Sequence, residues 1–298
     1  MKLAERTVKL RSLKEAISVI PDGARIAFSN FSVYQSPMAA VHEIIRAGIK
    51  DLTIVGVTNS IEVDMLVGAG AVKKLELSYV GLEKFGMGKN FRRAMQEGRL
   101  ELEYYTEYVA WDRFRASREG MEFWAVDFLG GSDLLKNNPN IVPFKSPMSG
   151  KQMWAIPAAN VDFAIIHAYA SDVYGNIRRQ DRTLQCHELS LDVARGSDRN
   201  IVTVERIIDE EEMIATSDRT LIPAFKTESV CHVPGGSHPT LTMSVAPQDD
   251  EFFQIYVDAS ANQETFNAFL DKFIRGTSNF EEYMALVEEA KKQRKEGV

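Results

Sequence analysis

The residues most able to do chemistry cluster in one stretch, ESVCHVPGGSHPT, residues 228 to 240. It holds Cys231, His232, His238, the pair Gly235-Gly236, and Pro234 and Pro239. Three readings compete: a metal site, a phosphate-cradling glycine loop, or a strand ending in a tightly shaped loop. The chain has five histidines and two cysteines, with no second cluster at zinc-like spacing. If VCHV (230–233) is a strand, Cys231 and His232 point to opposite faces and cannot share an ion. No metal is therefore expected. Gly235-Gly236 lacks the G-x-x-x-x-G-K-S/T context of a phosphate loop, and GMG (86–88) and GAG (68–70) lack the G-x-G-x-x-G spacing. A strand-end loop is the reading left.

Other reactive residues are weighed in the same way. No serine sits on a G-x-S-x-G elbow. Cys186 precedes His187, but neighbours in sequence seldom make a catalytic pair, and a cysteine more often packs. Glu210, Glu211 and Glu212 read as the solvated first turn of a helix after Asp209, where carboxylates suit the dipole. Asp172 to Asn176 reads as an Asx-type turn. Two carboxylates stand at positions where an α/β sheet places site residues. Glu83 follows a strand in the loop EKFGMGKN, and Glu107 follows another at the start of a helix. Either one alone reads more simply as a capping or surface carboxylate. These residues do not complete a catalytic constellation.

The elements that must position them alternate along the chain. Strand-like runs are RIAFSNF (25–31), DLTIVGV (51–57), KLELSYVG (74–81), the end of FRRAMQEGRLELEYYT (91–106), VDFAIIHAYA (161–170) and NIVTVERI (200–207). Helical patterns start at Pro37, at Ile61 and after Thr106, and stop at Gly48, at the glycines 68–70 and at Gly120. EFFQIYVDAS, NQETFNAFLDKFIRG and NFEEYMALVEEAKKQRKEG read as closing helices, so the part from about 248 to 298 is helical. Residues 130–152, rich in Gly, Asn, Pro and Ser, read as an irregular excursion. Strands joined mostly by helices predict an α/β fold with an open, mainly parallel sheet flanked by helices, as a single domain over 1–298.

Composition narrows the setting. A net charge of -7 works against broad binding to nucleic acid or an anionic membrane face. Two cysteines make no disulfide scaffold, and 11 methionines fit a reducing interior. The charged start MKLAERTVKLRSLKEAI has no apolar signal region, and no apolar run approaches the ~20 residues of a membrane span. A cytoplasmic protein is expected.

Several segments together resemble the α subunit of the class I, glutaconate-type CoA-transferases. They are IPDGARIAFSNFSVYQSPMAAVHEIIRAGIKDLTIVG, DMLVGAGAVKKLELSYVG, NFRRAMQEGRLELEYYTEY, IPAANVDFAIIHAYASDVYGN, IVTVERI and HVPGGSHPT, in the family's order from about residue 20 to 240. The resemblance implies a CoA-transferase-type fold, a β-type partner subunit commonly giving an α₂β₂ assembly, and coenzyme A as a substrate with no permanent cofactor. It implies that CoA passes between an acyl-CoA and a carboxylic acid through a glutamyl-CoA thioester. The glutamate for that step, in a Ser-Glu-Asn-Gly setting, belongs to the β-type half, and this chain has no such motif. This chain would supply walls of the acyl pocket and the interface.

On that resemblance the loop after the first strand binds substrate through Ser29, Asn30, Phe31, Ser32 and Gln35, joined by Glu83 and Phe85. It departs from the family at 29 and 30, where glycine is lost, and at Gln35, where an arginine would often stand. Arginine would grip a dicarboxylate end bidentately, and Gln35 cannot. Phe31, Tyr34 and Phe85 suggest an acyl group with apolar or aromatic bulk. A related branch hydrolyses the ring of a CoA thioester in steroid breakdown, and Glu107 falls in the region of its α-chain acid. In that alternative Glu107 is catalytic and activates water. A non-catalytic binding subunit is the third reading. In HVPGGSHPT the family commonly has Val-Pro-Phe-Gly-Ala-His-Pro-Thr, which makes His238 a structural anchor between two turns.

Overall fold

The structure is a computed structural model that describes residues 6–181 and 185–296, without the side chains of 185–187 and 296. The pair Cys186 and His187 therefore lies outside the described side chains. Nine strands build the central sheet: β1 (Arg25–Phe28), β2 (Leu52–Val55), β3 (Val72–Leu77), β4 (Glu101–Tyr104), β5 (Val161–Ser171), β6 (Ile177–Arg178), β7 (Ser197–Ile207), β8 (Thr220–Ile222) and β9 (Thr227–His232). The order β9-β7-β5-β1-β2-β3-β4 is parallel throughout. β6 runs antiparallel to the last residues of β5, and β8 antiparallel to β6.

Period-2 alternation divides the strands between two cores. Ile26, Phe28, Ile54, Phe163, Ile165, Ile201 and Cys231 pack on one face; Ala27, Val55, Ala164, Ile166, Val202 and Val230 pack on the other. Both faces are apolar because both are covered by helices. The first is covered by α1 (Leu13–Ile17), α2 (Met38–Ala47), α3 (Ile61–Gly68), α4 (Lys89–Gln96) and the C-terminal helices. The second is covered by α5 (Glu107–Arg118) and α6 (Gln185–Gly196). α7 (Glu210–Ala215) starts with the Asp209 side chain accepting from the Glu212 amide, in keeping with the acidic run that opens it. α8 (Asp250–Ala259), α9 (Gln263–Leu270) and α10 (Phe280–Glu296) close the chain. No helix among the described residues is long and apolar enough to cross a membrane.

Three differences from the sequence expectations have physical causes. Residues 130–152 are not wholly irregular: they carry the one-turn helix Leu134–Asn137 and the strand Val142–Lys145. That strand pairs antiparallel with Gln152–Pro157, which also pairs with Phe123–Val126. Pro143 is tolerated because Val142–Lys145 is an edge strand. Helix α6 is not among the expected elements, although Leu189 and Val193 stand four apart and both pack in the second core. The run RIAFSNF stops as a strand at Phe28, where the chain turns into the loop described below.

One buried ion cluster ties the sheet to α5. Glu76 on β3 accepts from Arg25 through both oxygens at 2.9 Å, from Arg113 Nη2 at 2.7 Å, and lies 2.8 Å from Lys74 Nζ. The Arg113 side chain is 3% exposed, and its guanidinium covers the Tyr105 ring at 4.2 Å. Burial works to raise the Glu76 carboxyl, but Arg25, Arg113 and Lys74 hold it well below the usual carboxylate range. A folded pKa below the unfolded one, about 4.3, means the stabilisation is full above that pH and is lost progressively as pH falls below it towards the depressed folded value. Glu76→Gln strands Arg113 without a counter-charge. It should cost roughly 3–5 kcal/mol in urea unfolding at neutral pH, and the gap to wild type should narrow as the pH is lowered from 5 towards 3. A gap independent of pH would show that the charge is not what matters.

Candidate functional site at the strand ends

In a parallel sheet the crevice opens where successive connections leave in opposite directions. Here that point lies between β1, which leads towards β2, and β5, which leads towards β7. Its first wall is the loop 29–36. Ser32 and Gln35 have φ of 53° and 58°, although neither is glycine. Such a conformation costs roughly 1–2 kcal/mol per residue, so something must hold it. Four backbone donors do. Ser29 N–H donates to Ile165 O at 3.2 Å, Ser32 N–H to Thr58 O at 2.7 Å, Gln35 N–H to Leu241 O at 2.7 Å, and Ser36 N–H to Thr240 Oγ1 at 3.0 Å.

Beneath the loop lies Glu62, in the first turn of α3 and fully buried. Its Oε1 accepts from Asn30 Nδ2 at 2.8 Å, Asn59 Nδ2 at 3.0 Å and the Ser60 amide at 2.9 Å; its Oε2 accepts from Ser36 Oγ at 3.1 Å. Burial pushes its carboxyl above the usual range, while these hydrogen bonds act the other way. Close by, Ser29 Oγ, Thr58 Oγ1 and Ser60 Oγ are buried without a hydrogen-bond partner among the described residues. Spare capacity of this kind is rare in a protein interior, and three such hydroxyls stand just past the ends of β1 and β2. Glu62 is not among the residues expected from the sequence. The usable signal was IEVDMLVG itself: a helix apolar on every side is buried on every side, and so are its acids.

The second wall is the glycine loop that follows β9. His167 on β5 lies 2.9 Å from Thr203 Oγ1 through Nδ1 and 2.8 Å from Glu205 Oε1 through Nε2. Gly235, at φ +70°, donates its N–H to Glu205 Oε2 at 2.8 Å. A Cβ on Gly236 would meet Val233 O at 2.8 Å and the His167 ring at 3.2 Å, so the second glycine is set by close approach. Burial would raise Glu205, but the hydrogen bond and charge of His167 hold it below the usual range.

Cys231 faces the first core, and burial pushes its thiol up to about 12, so it is a packing residue rather than a nucleophile. No group of three or more His, Cys, Asp or Glu among the described residues is arranged to hold a metal ion. His238 contacts Tyr283 OH at 2.8 Å and Asp249 Oδ2 at 3.1 Å, fastening the loop to the C-terminal helices.

The structure brings most of the expected site residues together. Ser29, Asn30, Phe31, Ser32 and Gln35 share the loop, and the Ser32 hydroxyl donates to Glu83, itself exposed at φ 50°. Several expected residues turn away from open space: Ser29 and Ser32 are buried, and Asn30, also buried, commits its amide to Ser32 O and Glu62. Gln35 is buried, donating through Nε2 to His167 O at 2.8 Å and accepting from Gln180 Nε2 at 3.3 Å. Phe85 stacks on Phe253 at 5.3 Å with its ring almost parallel. Glu107 stands apart. It is exposed at the start of α5, after the edge strand β4, and makes no hydrogen bond or ion pair among the described residues. β4 is three strands from β1, about 14 Å across the sheet at the usual spacing.

The chain is similar in sequence and fold to known proteins. A model of the coenzyme A transferase family matches residues 10–232. The A-type subunit of the 3-oxoadipate CoA-transferase from Pseudomonas knackmussii is 34% identical over 287 residues, covering 95% of this chain and 99% of its own. The crystal structure of glutaconate coenzyme A-transferase from Acidaminococcus fermentans superposes with a TM-score of 0.89 at 28% identity, covering 95% of this chain and 94% of that one. The cholesterol ring-cleaving hydrolase IpdA subunit of Mycobacterium tuberculosis is 24% identical over 278 residues, covering 90% of this chain and 94% of its own. The chain belongs to the coenzyme A transferase family, as an enzyme subunit.

Proposed function

We propose that this chain is the α-type half of a cytoplasmic, two-chain CoA-transferase that moves CoA between an acyl-CoA and a carboxylic acid. The observation that carries the reading is the state of the buried carboxylates at the crevice. Glu62 has both oxygens engaged by donors, and so does Glu205. Neither is disposed to attack a thioester, which fits the family pattern in which the nucleophile comes from a β-type partner. The relatives that are themselves A-type subunits support such a pairing.

In the proposed cycle a partner glutamate attacks the thioester carbonyl, giving an acyl-glutamyl anhydride and releasing the CoA thiolate. The thiolate attacks the glutamyl carbonyl, freeing the acid and leaving a glutamyl-CoA thioester. The acceptor acid then reverses both steps, and the glutamate is regenerated. This chain walls the acyl group with the loop of Ser29, Asn30, Phe31 and Ser32, which presents Phe31, and with the exposed Glu83. Gln35 and Phe85 stand behind that wall: Gln35 holds β5 and Phe85 fixes the Glu83 loop on α8. With Glu83 at the mouth and no arginine at 35, the crevice suits acyl groups without a second carboxylate. CoA enters only as a substrate. The hydrolase reading needs Glu107 beside the reacting carbonyl, and the exposed, unpartnered position of Glu107 on the far side of β2 and β3 does not favour it.

Three outcomes are expected. The purified chain alone should transfer no CoA from acyl-CoA to acetate, and adding a β-type subunit should restore turnover; turnover without the partner would overturn the assignment. Glu107→Gln in the assembled enzyme should keep a near-normal rate. A fall of ~100-fold or more in kcat with intact assembly would instead support acid-base chemistry and the hydrolase. Glu83→Gln should raise kcat/KM for dicarboxylic over monocarboxylic acyl-CoA by about fivefold, the effect of removing one like charge some 4 Å away in water. An unchanged ratio would place Glu83 away from the acyl chain.

A further inference from the structure

A cleft apart from the crevice opens where β9 ends, between α1, α2 and the start of α10. It holds about 560 Å³, within the roughly 300–1,000 Å³ of small-molecule sites. Neither the loop 29–36 nor Glu62 nor Glu83 borders it. Its floor is apolar. Leu13, Val233 and Met284 pack against the first core yet are only partly buried, and Phe280 lies beside them, 7% exposed.

The charges around the floor are of two kinds. On the α2 side they are engaged. Arg46 pairs with Glu43 at 2.9 Å and donates to Ile274 O at 2.9 Å and Thr277 Oγ1 at 3.0 Å. At the end of β9, His232 Nε2 lies 3.2 Å from Glu205 O. On the α1 side the charges are open. Arg11 and Lys14 are exposed, and neither makes an ion pair among the described residues; the Arg11 guanidinium donates to Leu10 O at 2.8 Å. Two acids close to Arg11 are already held, Glu15 by Ser12 and Glu228 by Arg199. Besides Glu43, the carboxylate bordering the cleft is the exposed Glu281, on the α10 side.

This distribution selects the occupant. An apolar body suits the floor, and a carboxylate head suits Arg11 and Lys14. An ammonium head would be repelled there, and a second carboxylate reaching the α10 side would meet Glu281. We propose that the cleft is a second ligand site, separate from the crevice. It takes a small monocarboxylate, with its apolar body against Leu13, Phe280 and Met284 and its carboxylate at Arg11 and Lys14. Val233 and Pro234 border the cleft and lead directly into Gly235 and Gly236, so the occupant sits at the root of the glycine loop. The inference does not depend on the transferase reading, because binding is measured without turnover.

Hexanoate titrated calorimetrically into the full chain should bind. The double variant Arg11→Gln, Lys14→Gln should weaken it by about tenfold or more, the effect of removing two charges near a carboxylate at a protein surface. Hexylamine should bind at least about tenfold more weakly than hexanoate, since the same two charges repel it. Amide exchange of residues 278–284 should slow on saturation with hexanoate, and that of residues 29–36 should not. No binding, equal affinity in the double variant, or equal affinity for hexylamine overturns the proposal. Protection at 29–36 instead of 278–284 puts the acid in the crevice and overturns it too. If circular dichroism shows the double variant unfolded, Met284→Trp decides: it narrows the floor and should weaken hexanoate, and unchanged affinity overturns the proposal. In the assembled two-chain enzyme the double variant should bind one hexanoate fewer per chain than wild type. An equal number would show the cleft covered by the partner, which also overturns it.

Discussion

Glu62 is an acid buried in a helix that is apolar on every side, and the shape of the crevice follows from satisfying it. Leaving a carboxyl in that position without partners would cost several kcal/mol. Four donors prevent this, and two of them, Asn30 and Ser36, come from the β1 loop. The loop therefore cannot relax outward without exposing the acid to an apolar core. That is why two non-glycine residues keep left-handed backbones there. Their strain, roughly 1–2 kcal/mol each, is smaller than the loss of those bonds together with the backbone bonds to Thr58, Leu241 and Thr240.

Around the crevice buried charge follows a common rule. Glu76 is held by three cations, Glu205 by His167 and a backbone amide, and Glu62 by neutral donors alone. Each fastens elements that are distant in sequence: β3 to α5, β7 to the glycine loop, and α3 to the β1 loop. Hydrophobic burial on both sheet faces is non-directional and leaves loop positions free to slide. Charged and amide groups with fixed geometry remove that freedom. The polar anchors stand where the two cores end and the loops begin, which is where register in space has to be set.

The strands that pack on two faces were legible in the sequence, because VDFAIIHAYA and DLTIVGV carry apolar residues on both of their faces and only a doubly covered sheet accepts that. The helix stops at Gly48 and Gly120 were legible too, through the left-handed φ each adopts. Strands of two or three residues, such as Ile177–Arg178 and Thr220–Ile222, have too few positions to show a period. Helix α6 follows the polar run RRQDRT, which hides where it starts. Within the site, loop membership was readable from position after a strand, but side-chain direction was not. Gln35 and Phe85 stand in the right loops yet point into packing, because partners 145 and 168 residues away in sequence, Gln180 and Phe253, decide their rotamers. Glu62 left only the signal of an acid in an all-apolar helix, and Glu205 and His167 were not legible, because each sits inside a strand run and its partner lies on another strand.

A covalent carboxylate nucleophile must be ionised, uncommitted by hydrogen bonds and aimed at a carbonyl. An acid that shapes a loop must be the opposite, with every lone pair occupied. The same group cannot meet both demands, because each bond that rigidifies it lowers its reactivity. This chain commits its buried crevice acids to rigidity. A transferase built on it therefore gains by taking the reactive carboxylate from a second chain, whose position can be set by docking rather than by the packing of this core. On the proposed reading the division into two subunits follows from that conflict: one chain holds two loops at fixed spacing, and the other brings a carboxylate that nothing in this chain has to restrain.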